Sequence, residues 1–167
     1  QKIFPGLFVP ADRAPESIRR HFRYPEDLFR AQAELYRLYH MTDPTVFYNR
    51  EDLWEIPKEL FGPRREVVDV QPYYVIMRLP GETREEFILM QPFVAARRPN
   101  MIAWLAARSD APAYGDMVVY KFSKEKLVFG PIQIEARIDQ DPQISAQFTL
   151  WSQAGSDVIR GNLLVIP

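Results

Sequence analysis

Acidic side chains are the first candidates for chemistry, because two carboxylates facing each other across a cleft can act as general acid and base. Glu51, Asp52 and Glu55 lie in the string YNREDLWE, at a spacing that predicts one face of a helix. Asp110 and Glu135 stand far from them along the chain. A hydrolase would need the fold to bring such carboxylates together, whereas acids at helical spacing more commonly form a solvated helix face.

A second acidic pair, Asp139 and Asp141, lies in the string ARIDQDPQIS. Asp141 stands directly before Pro142, which is the pattern of a helix N-cap followed by a first helical residue. We therefore interpret the pair as the boundary between two structural elements rather than as a metal site. Asp139 is then expected to be solvated or to cap a helix at this boundary. Three apolar residues are predicted to form the buried face of the new helix: Ile144, Phe148 and Trp151.

The chain has two histidines, His21 and His40, and no cysteine. The histidines are on different predicted helices and belong to no metal-binding motif, so a surface or capping role is expected for both. Without cysteine there is no disulfide, thiolate metal site or thiol nucleophile. The sequence thus assigns no catalytic, cofactor-binding or metal-binding residue, and no cofactor.

Some polar residues interrupt apolar runs: Arg78, Arg108, Arg160 and Asn162. A charge on a buried strand costs several kcal/mol unless it is paired. Each of these side chains must therefore reach an edge, an acid or a ligand, and we expect partner acids.

Residues 1–63 are predicted to form a helical N-terminal segment. Pro15 and Pro25 are each followed by an acid, as at a helix start, and Asp43 with Pro44 predicts a third, shorter helix. One apolar stripe at helical spacing is predicted to be buried, and its residues are Leu28, Ala31, Leu35, Leu38 and Tyr39.

Residues 64–167 are predicted to form a mostly antiparallel sheet with a helical segment at 131–154. Runs rich in β-forming residues predict about five strands, with a turn at Pro80 and Gly81 and a last strand in VIRGNLLVI. The stretch from Ile132 to Ile138 fits a strand by alternation or a helix by Pro131; we favour the helix. The fold class is α+β, with the N-terminal helices packed on the sheet in one domain.

Composition narrows the function. The net charge of −1 gives no field that would attract nucleic acid, and 47% hydrophobic residues suffice for a core. No apolar run is long enough to span a bilayer. The start at Gln1 and the apolar end lead us to expect a segment of a longer protein, whose final strand could pair edge to edge with a second copy.

Several long strings resemble a large family of uncharacterised bacterial and cyanobacterial multipass membrane proteins. They include YPEDLFRAQAELYRLYHMTDPTVFYNREDLWEIP, PYYVIMRLPGE, NMIAWLAARSD, YGDMVVYKF, GPIQIEARIDQDPQIS and GSDVIRGNLLVIP. The resemblance runs from about Tyr24 to the end of the chain. It implies a parent protein in the cell membrane with several transmembrane helices, of which this chain is part of an extracytoplasmic region.

That resemblance carries no catalytic residue, so the functional expectation is broad. We expect a non-catalytic interaction or sensor-like module whose partners are other domains of the parent protein, or an unidentified protein or envelope component. The alternative is a cell-envelope hydrolase that uses Glu51, Asp52, Asp110 or Glu135.

Overall fold

The computed structural model describes residues 3–123 and 125–166 of the 167-residue chain. These residues contain five α-helices, three before the strands and two after them. The helices are α1 (Glu16–Arg19), α2 (Glu26–Tyr39), α3 (Pro44–Asn49), α4 (Pro131–Gln140) and α5 (Pro142–Trp151). A proline stands at the first position of each helix or directly before it, where its missing N–H costs no hydrogen bond.

The described residues also form eight strands, and all their pairings are antiparallel. They are β1 (Trp54–Glu55), β2 (Lys58–Phe61), β3 (Glu66–Asp69), β4 (Tyr73–Arg78), β5 (Glu85–Ala95), β6 (Asn100–Arg108), β7 (Met117–Lys121) and β8 (Val128–Phe129). In the main sheet β5 and β6 are central; β4 and β1 flank β5, and β7 and β8 flank β6. β2 and β3 form a separate hairpin. The predicted α+β fold is confirmed, as is the turn at Pro80 and Gly81.

One face of the main sheet is covered by α2. Phe29 and Ala33 are fully buried there against a cluster that includes Trp54 and Phe93. The chain just before α2 is fixed at Tyr24, whose N–H donates to the Ser109 hydroxyl at 3.1 Å. The core therefore contains residues from both sides of residue 63, and the predicted division of the chain at that point remains a prediction.

The sheet curls over its opposite face. Ile88, Met90 and Trp104 are buried on it, and the Trp104 ring stacks on Tyr120 with centroids 4.4 Å apart. The Tyr120 hydroxyl donates to the carbonyl of Pro80 at 3.0 Å. Because Tyr120 belongs to β7 and Pro80 follows β4, the two edges of the sheet approach each other over this face.

The prediction of the buried face of α2 was wrong for four of its five residues, and only Leu38 is half-buried. Leu28, Leu35 and Tyr39 are 50%, 57% and 66% exposed, and Ala31 is exposed too. The sheet instead buries Phe29 and Ala33, which lie on a neighbouring arc of the helix. Periodicity identified a real apolar stripe, but not which of two stripes faces the core.

The helix predicted across YNREDLWE is shorter than expected. α3 ends at Asn49, because Arg50 adopts a left-handed conformation with φ of 54°. Trp54 and Glu55 then form β1, which pairs with the end of β5. Strands β1 and β2 therefore lie within the segment predicted to be helical.

The two C-terminal helices were predicted correctly. Pro131 opens α4 across the ambiguous stretch, and the Asp141 side chain caps α5 by accepting from the N–H groups of Gln143 and Ile144 at 3.0 Å each. Of the predicted buried face of α5, Phe148 is half-buried, whereas Ile144 and Trp151 are exposed.

The predicted last strand was also wrong. Residues 157–166 form no strand, and their one bridge in the described chain joins Arg160 to Gly62. We call residues 157–166 the C-terminal strap. Side chains hold it, because Leu163 N–H donates to the Glu59 carboxylate at 2.7 Å and the Tyr73 hydroxyl donates to the Val165 carbonyl at 2.7 Å.

Candidate functional site

The most buried ionic cluster lies where the C-terminal strap crosses α4. The Arg160 guanidinium donates to the carboxylates of Glu135 and Asp139, and Arg65 also donates to Asp139. Burial opposes ionisation of Asp139, but the hydrogen bonds from the two arginines outweigh it and lower its pKa. Asp139 is thus an ion-pair partner, and the predicted solvated or capping role was wrong.

Glu59 lies beneath the same strap and is almost fully buried. Burial raises its pKa, the hydrogen bond from Leu163 opposes that rise, and the nearby charge of Glu135 adds to it. Each acid of this region has a structural partner within the chain. We conclude that Glu59, Glu135 and Asp139 fasten the strap.

Partner acids were expected for the arginines inside apolar runs, and two of them have such partners. Arg108 donates to Glu86 at 2.7 Å and to Glu82 at 2.9 Å, and its hydrogen bond to Glu86 contributes most to raising the pKa of Arg108. Arg160 is paired as described above. Arg78 lies directly opposite Glu85 in the strand register, and Asn162 reaches solvent.

The four carboxylates proposed for a hydrolase are spread over the molecule. Glu51 and Asp52 lie in the turn between α3 and β1, where Glu51 accepts from the Asn49 side chain at 3.0 Å. Asp110 follows the end of β6 and accepts from Phe87 N–H at 2.8 Å. Glu135 lies on α4, near the start of β6. A nine-residue strand at about 3.3 Å per residue separates these two ends, so Asp110 and Glu135 are too distant to share a substrate.

The two histidines differ in their surroundings. His21 is exposed, as predicted, but the His40 side chain is only 2% exposed and its ring stacks on Trp54, with centroids 3.9 Å apart. The sequence carries no local signal for this contact, because it depends on the way α2 crosses β1. In the part of the chain that the structure describes, no three histidine or acid side chains gather in an arrangement that could hold a metal ion.

Two clefts of about 490 Å³ open at the surface. One lies between α1 and the loop after β6, where Asp110 stands among Arg19, Arg20 and other charged residues. The other occupies the curl of the sheet, with Trp104 and Tyr120 among its walls. Asp110 is the one residue of the four hydrolase candidates that lines either cleft, and it already accepts a backbone hydrogen bond.

The outer face of α2 is one of the exposed apolar surfaces of the described chain. We call Leu28, Ala31, Leu35, Tyr39 and Phe47 the outer stripe; Phe47 comes from α3, and its ring stacks on Tyr39 with centroids 5.7 Å apart. At 100° per residue, the apolar positions of α2 cover an arc of about 220°, about twice that of an ordinary surface helix. The sheet covers only the part of this arc that contains Phe29 and Ala33. The remaining part forms an apolar surface along the whole helix.

A comparison with known families matches residues 1–151 to the Uncharacterised protein family (UPF0182). The chain belongs to this family. The family resemblance predicted from the sequence is confirmed, and no activity comes with the UPF0182 assignment.

Relatives in the UPF0182 family occur in bacteria and archaea. The chain is 61% identical to a UPF0182 protein of Bradyrhizobium diazoefficiens over 168 residues and 60% identical to one of Methanospirillum hungatei over 166 residues. It is 56% identical to a UPF0182 protein of Microcystis aeruginosa over 166 residues. These alignments cover 99% to 100% of the chain but only 17% to 18% of each relative. The chain therefore corresponds to less than a fifth of its relatives' length.

No solved structure matches the chain. Among the described residues, no helix combines the length and apolar character needed to cross a membrane.

Proposed function

We propose that this chain is a non-catalytic interaction module, with a sensor-like role, within a longer UPF0182 protein of the multipass membrane type, and that it lies outside the cytoplasmic membrane. The outer stripe carries this proposal. Three large apolar side chains of one helix are half or more exposed, and such a continuous apolar surface is typical of a protein contact site.

The partner we propose is another segment of the same long polypeptide. Relatives of this chain are more than five times its length, so most of such a protein lies outside the structure. A lipid surface fits the stripe less well, since the charges beside it on α2 are mixed: Glu26, Asp27, Arg30, Glu34 and Arg37. Anionic headgroups attract clustered lysine and arginine rather than such a mixture.

Thiol accessibility tests the proposed contact, since the chain has no cysteine of its own. Leu35→Cys places one thiol in the outer stripe, and Asp27→Cys places a matched thiol on the polar side of the same helix. Alkylation rates are measured in the 167-residue chain, at concentrations low enough to keep it monomeric, and in a longer UPF0182 polypeptide whose other cysteines have been removed. We expect Cys at position 35 to react at least about tenfold more slowly in the longer polypeptide, because a packed interface excludes the reagent.

Position 27 should react at similar rates in both proteins. Equal rates at position 35 in the two proteins would show that the rest of the polypeptide leaves the stripe open. Protection that appears only when envelope extract is added would identify an external partner and contradict the proposed intramolecular one.

The proposed location is tested separately with the Asp27→Cys variant of the longer polypeptide. A membrane-impermeant maleimide applied to intact cells should label this thiol to the same extent as in broken cells. Labelling that requires broken cells would place the module on the cytoplasmic side.

A further inference from the structure

His40 lies at the C-terminal end of α2, in contact with two other elements. Its Nδ1 is 3.0 Å from the carbonyl oxygen of Tyr36, one turn earlier in the helix. Its ring stacks on Trp54 of β1, and its Nε2 is 3.7 Å from the Asp52 carboxylate in the turn before that strand. Nε2 is buried and has no hydrogen-bond partner among the described residues. A buried polar atom without a partner is uncommon and costly.

The contact at Nδ1 determines the tautomer of the neutral ring. A carbonyl oxygen can only accept, so Nδ1 must carry the proton and donate to Tyr36. In the neutral ring Nε2 then carries a lone pair that faces a carboxylate oxygen, and neither atom can donate a hydrogen bond to the other. Protonation converts Nε2 into a donor aimed at Asp52.

We propose that His40 and Asp52 form a pH-operated clamp, in which protonation of His40 joins the end of α2 to the turn before β1. An N–H···O bond between charged groups is normally about 2.8 Å long, so Asp52 must move by about 0.9 Å from its present 3.7 Å. The Asp52 side chain is 64% exposed and free to make that movement. This clamp does not rest on the proposed interaction function.

The groups around His40 act in both directions. Asp52 favours the imidazolium, as does the C-terminal end of α2, where the helix dipole attracts a positive charge. The electron-rich face of Trp54 attracts it too. Burial opposes it, and so does Lys121 of β7, whose ammonium lies 5.4 Å from the centre of the Trp54 ring. Tyr36, one turn earlier on α2, lies with its ring centroid 5.9 Å from that of His40.

Hydrogen exchange at two backbone amides reports on the clamp. The amide of Glu51 donates to the Val46 carbonyl at 3.1 Å, and the amide of Ala96 donates to the Leu53 carbonyl at 2.8 Å. Both hydrogen bonds break when the turn around Asp52 opens, which exposes the two amides to exchange. Protection factors, corrected for the intrinsic pH dependence of exchange, are measured at pH 8 and pH 5.5. We expect both to rise about tenfold at the lower pH, since a new charge-assisted hydrogen bond closes the turn.

Three variants test whether His40 and Asp52 cause the rise in protection. His40→Gln should abolish the rise, and Asp52→Ala should abolish it while the ring of His40 still takes up its proton, as seen in its ¹⁵N resonances. His21→Gln, at the other and exposed histidine, should leave the rise intact. An undiminished rise in Asp52→Ala, or no rise in the unaltered chain, would overturn the proposal. Asp52 is mostly exposed, so this variant keeps the test valid even if His40→Gln fails to fold.

Discussion

Asp139 and Asp141, which are separated by a single residue, have different structural roles. Asp141 lies at the start of α5 and accepts two backbone N–H groups, a role that its own neighbours dictate. Asp139 lies on the last turn of α4 and binds Arg160 and Arg65, of which Arg65 lies 74 residues away along the chain. The first role could be predicted from the local sequence, and the second could not.

Asp139→Asn should destabilise the chain by about 1–3 kcal/mol at pH 7, because it leaves Arg160 with a single acid and removes the charged partner of Arg65. The folded-state pKa of Asp139 is lowered, so the stabilisation is complete above the unfolded value of about 3.9 and is lost as the pH falls through the lower folded value. The deficit of the variant should therefore shrink below about pH 4. Urea unfolding at pH 7 and at pH 3 measures both effects.

Asp141→Asn is the matched control, since asparagine caps a helix about as well as aspartate. Its cost should stay below about 1 kcal/mol. If the two variants lose equal stability at pH 7, the ion pairs of Asp139 contribute no measurable stability to the fold.

At the scale of elements, the sequence predicted best where the signal is local. Pro131 and the pair Asp141–Pro142 predicted the starts of α4 and α5, and runs rich in β-forming residues predicted β4 to β7, because these signals depend on the residues themselves. Burial of a helix face depends on what lies opposite it. For that reason Leu28, Leu35 and Tyr39 on α2, and Ile144 and Trp151 on α5, were predicted to be buried and are exposed.

The candidate site was predictable only in part. Arg108 and Arg160 could be identified as charges that need partners, since each interrupts an apolar run. Their acids could not be named, because Glu86 and Glu135 lie 22 and 25 residues away and the fold alone brings them near. The buried His40 gave no sequence signal at all.

The junction between β8 and α4 depends on a close backbone approach at Gly130. A Cβ placed on this residue would overlap the carbonyl oxygen of Pro99, which cannot move aside as a flexible side chain could. We therefore expect Gly130→Ala to lower the free energy of unfolding by about 1–3 kcal/mol, the usual cost of overpacking. Thermal and urea unfolding would measure the loss.

Gly161→Ala provides the comparison for Gly130→Ala. Gly161 lies in the C-terminal strap, where no atom lies within 4 Å of an added Cβ, so the substitution should change stability by less than about 0.5 kcal/mol. A Gly130→Ala variant as stable as Gly161→Ala would mean that β8 and α4 can separate without cost.

At the scale of the whole molecule, several groups of large apolar residues are exposed. One group lies on α2 and α3, another on α5, and a third on the C-terminal strap, where Ile159 is exposed. The chain spans less than a fifth of its relatives' length, and these surfaces are where we propose contact with the rest of a longer protein. When that partner is missing, a second copy of the chain can take its place.

The isolated chain should therefore self-associate through the outer stripe. Leu35→Glu places a charge at the centre of the stripe, and we expect it to raise the dimer dissociation constant at least tenfold, because burying a leucine contributes about 1.5–3 kcal/mol and tenfold corresponds to about 1.4 kcal/mol. Sedimentation equilibrium over a range of protein concentrations measures the constant. Ile159→Glu is the control, because this residue is as exposed but lies on the C-terminal strap. If Ile159→Glu weakens association and Leu35→Glu does not, the two copies meet through the C-terminal strap, as edge pairing would require. The outer stripe would then not be the dimer interface.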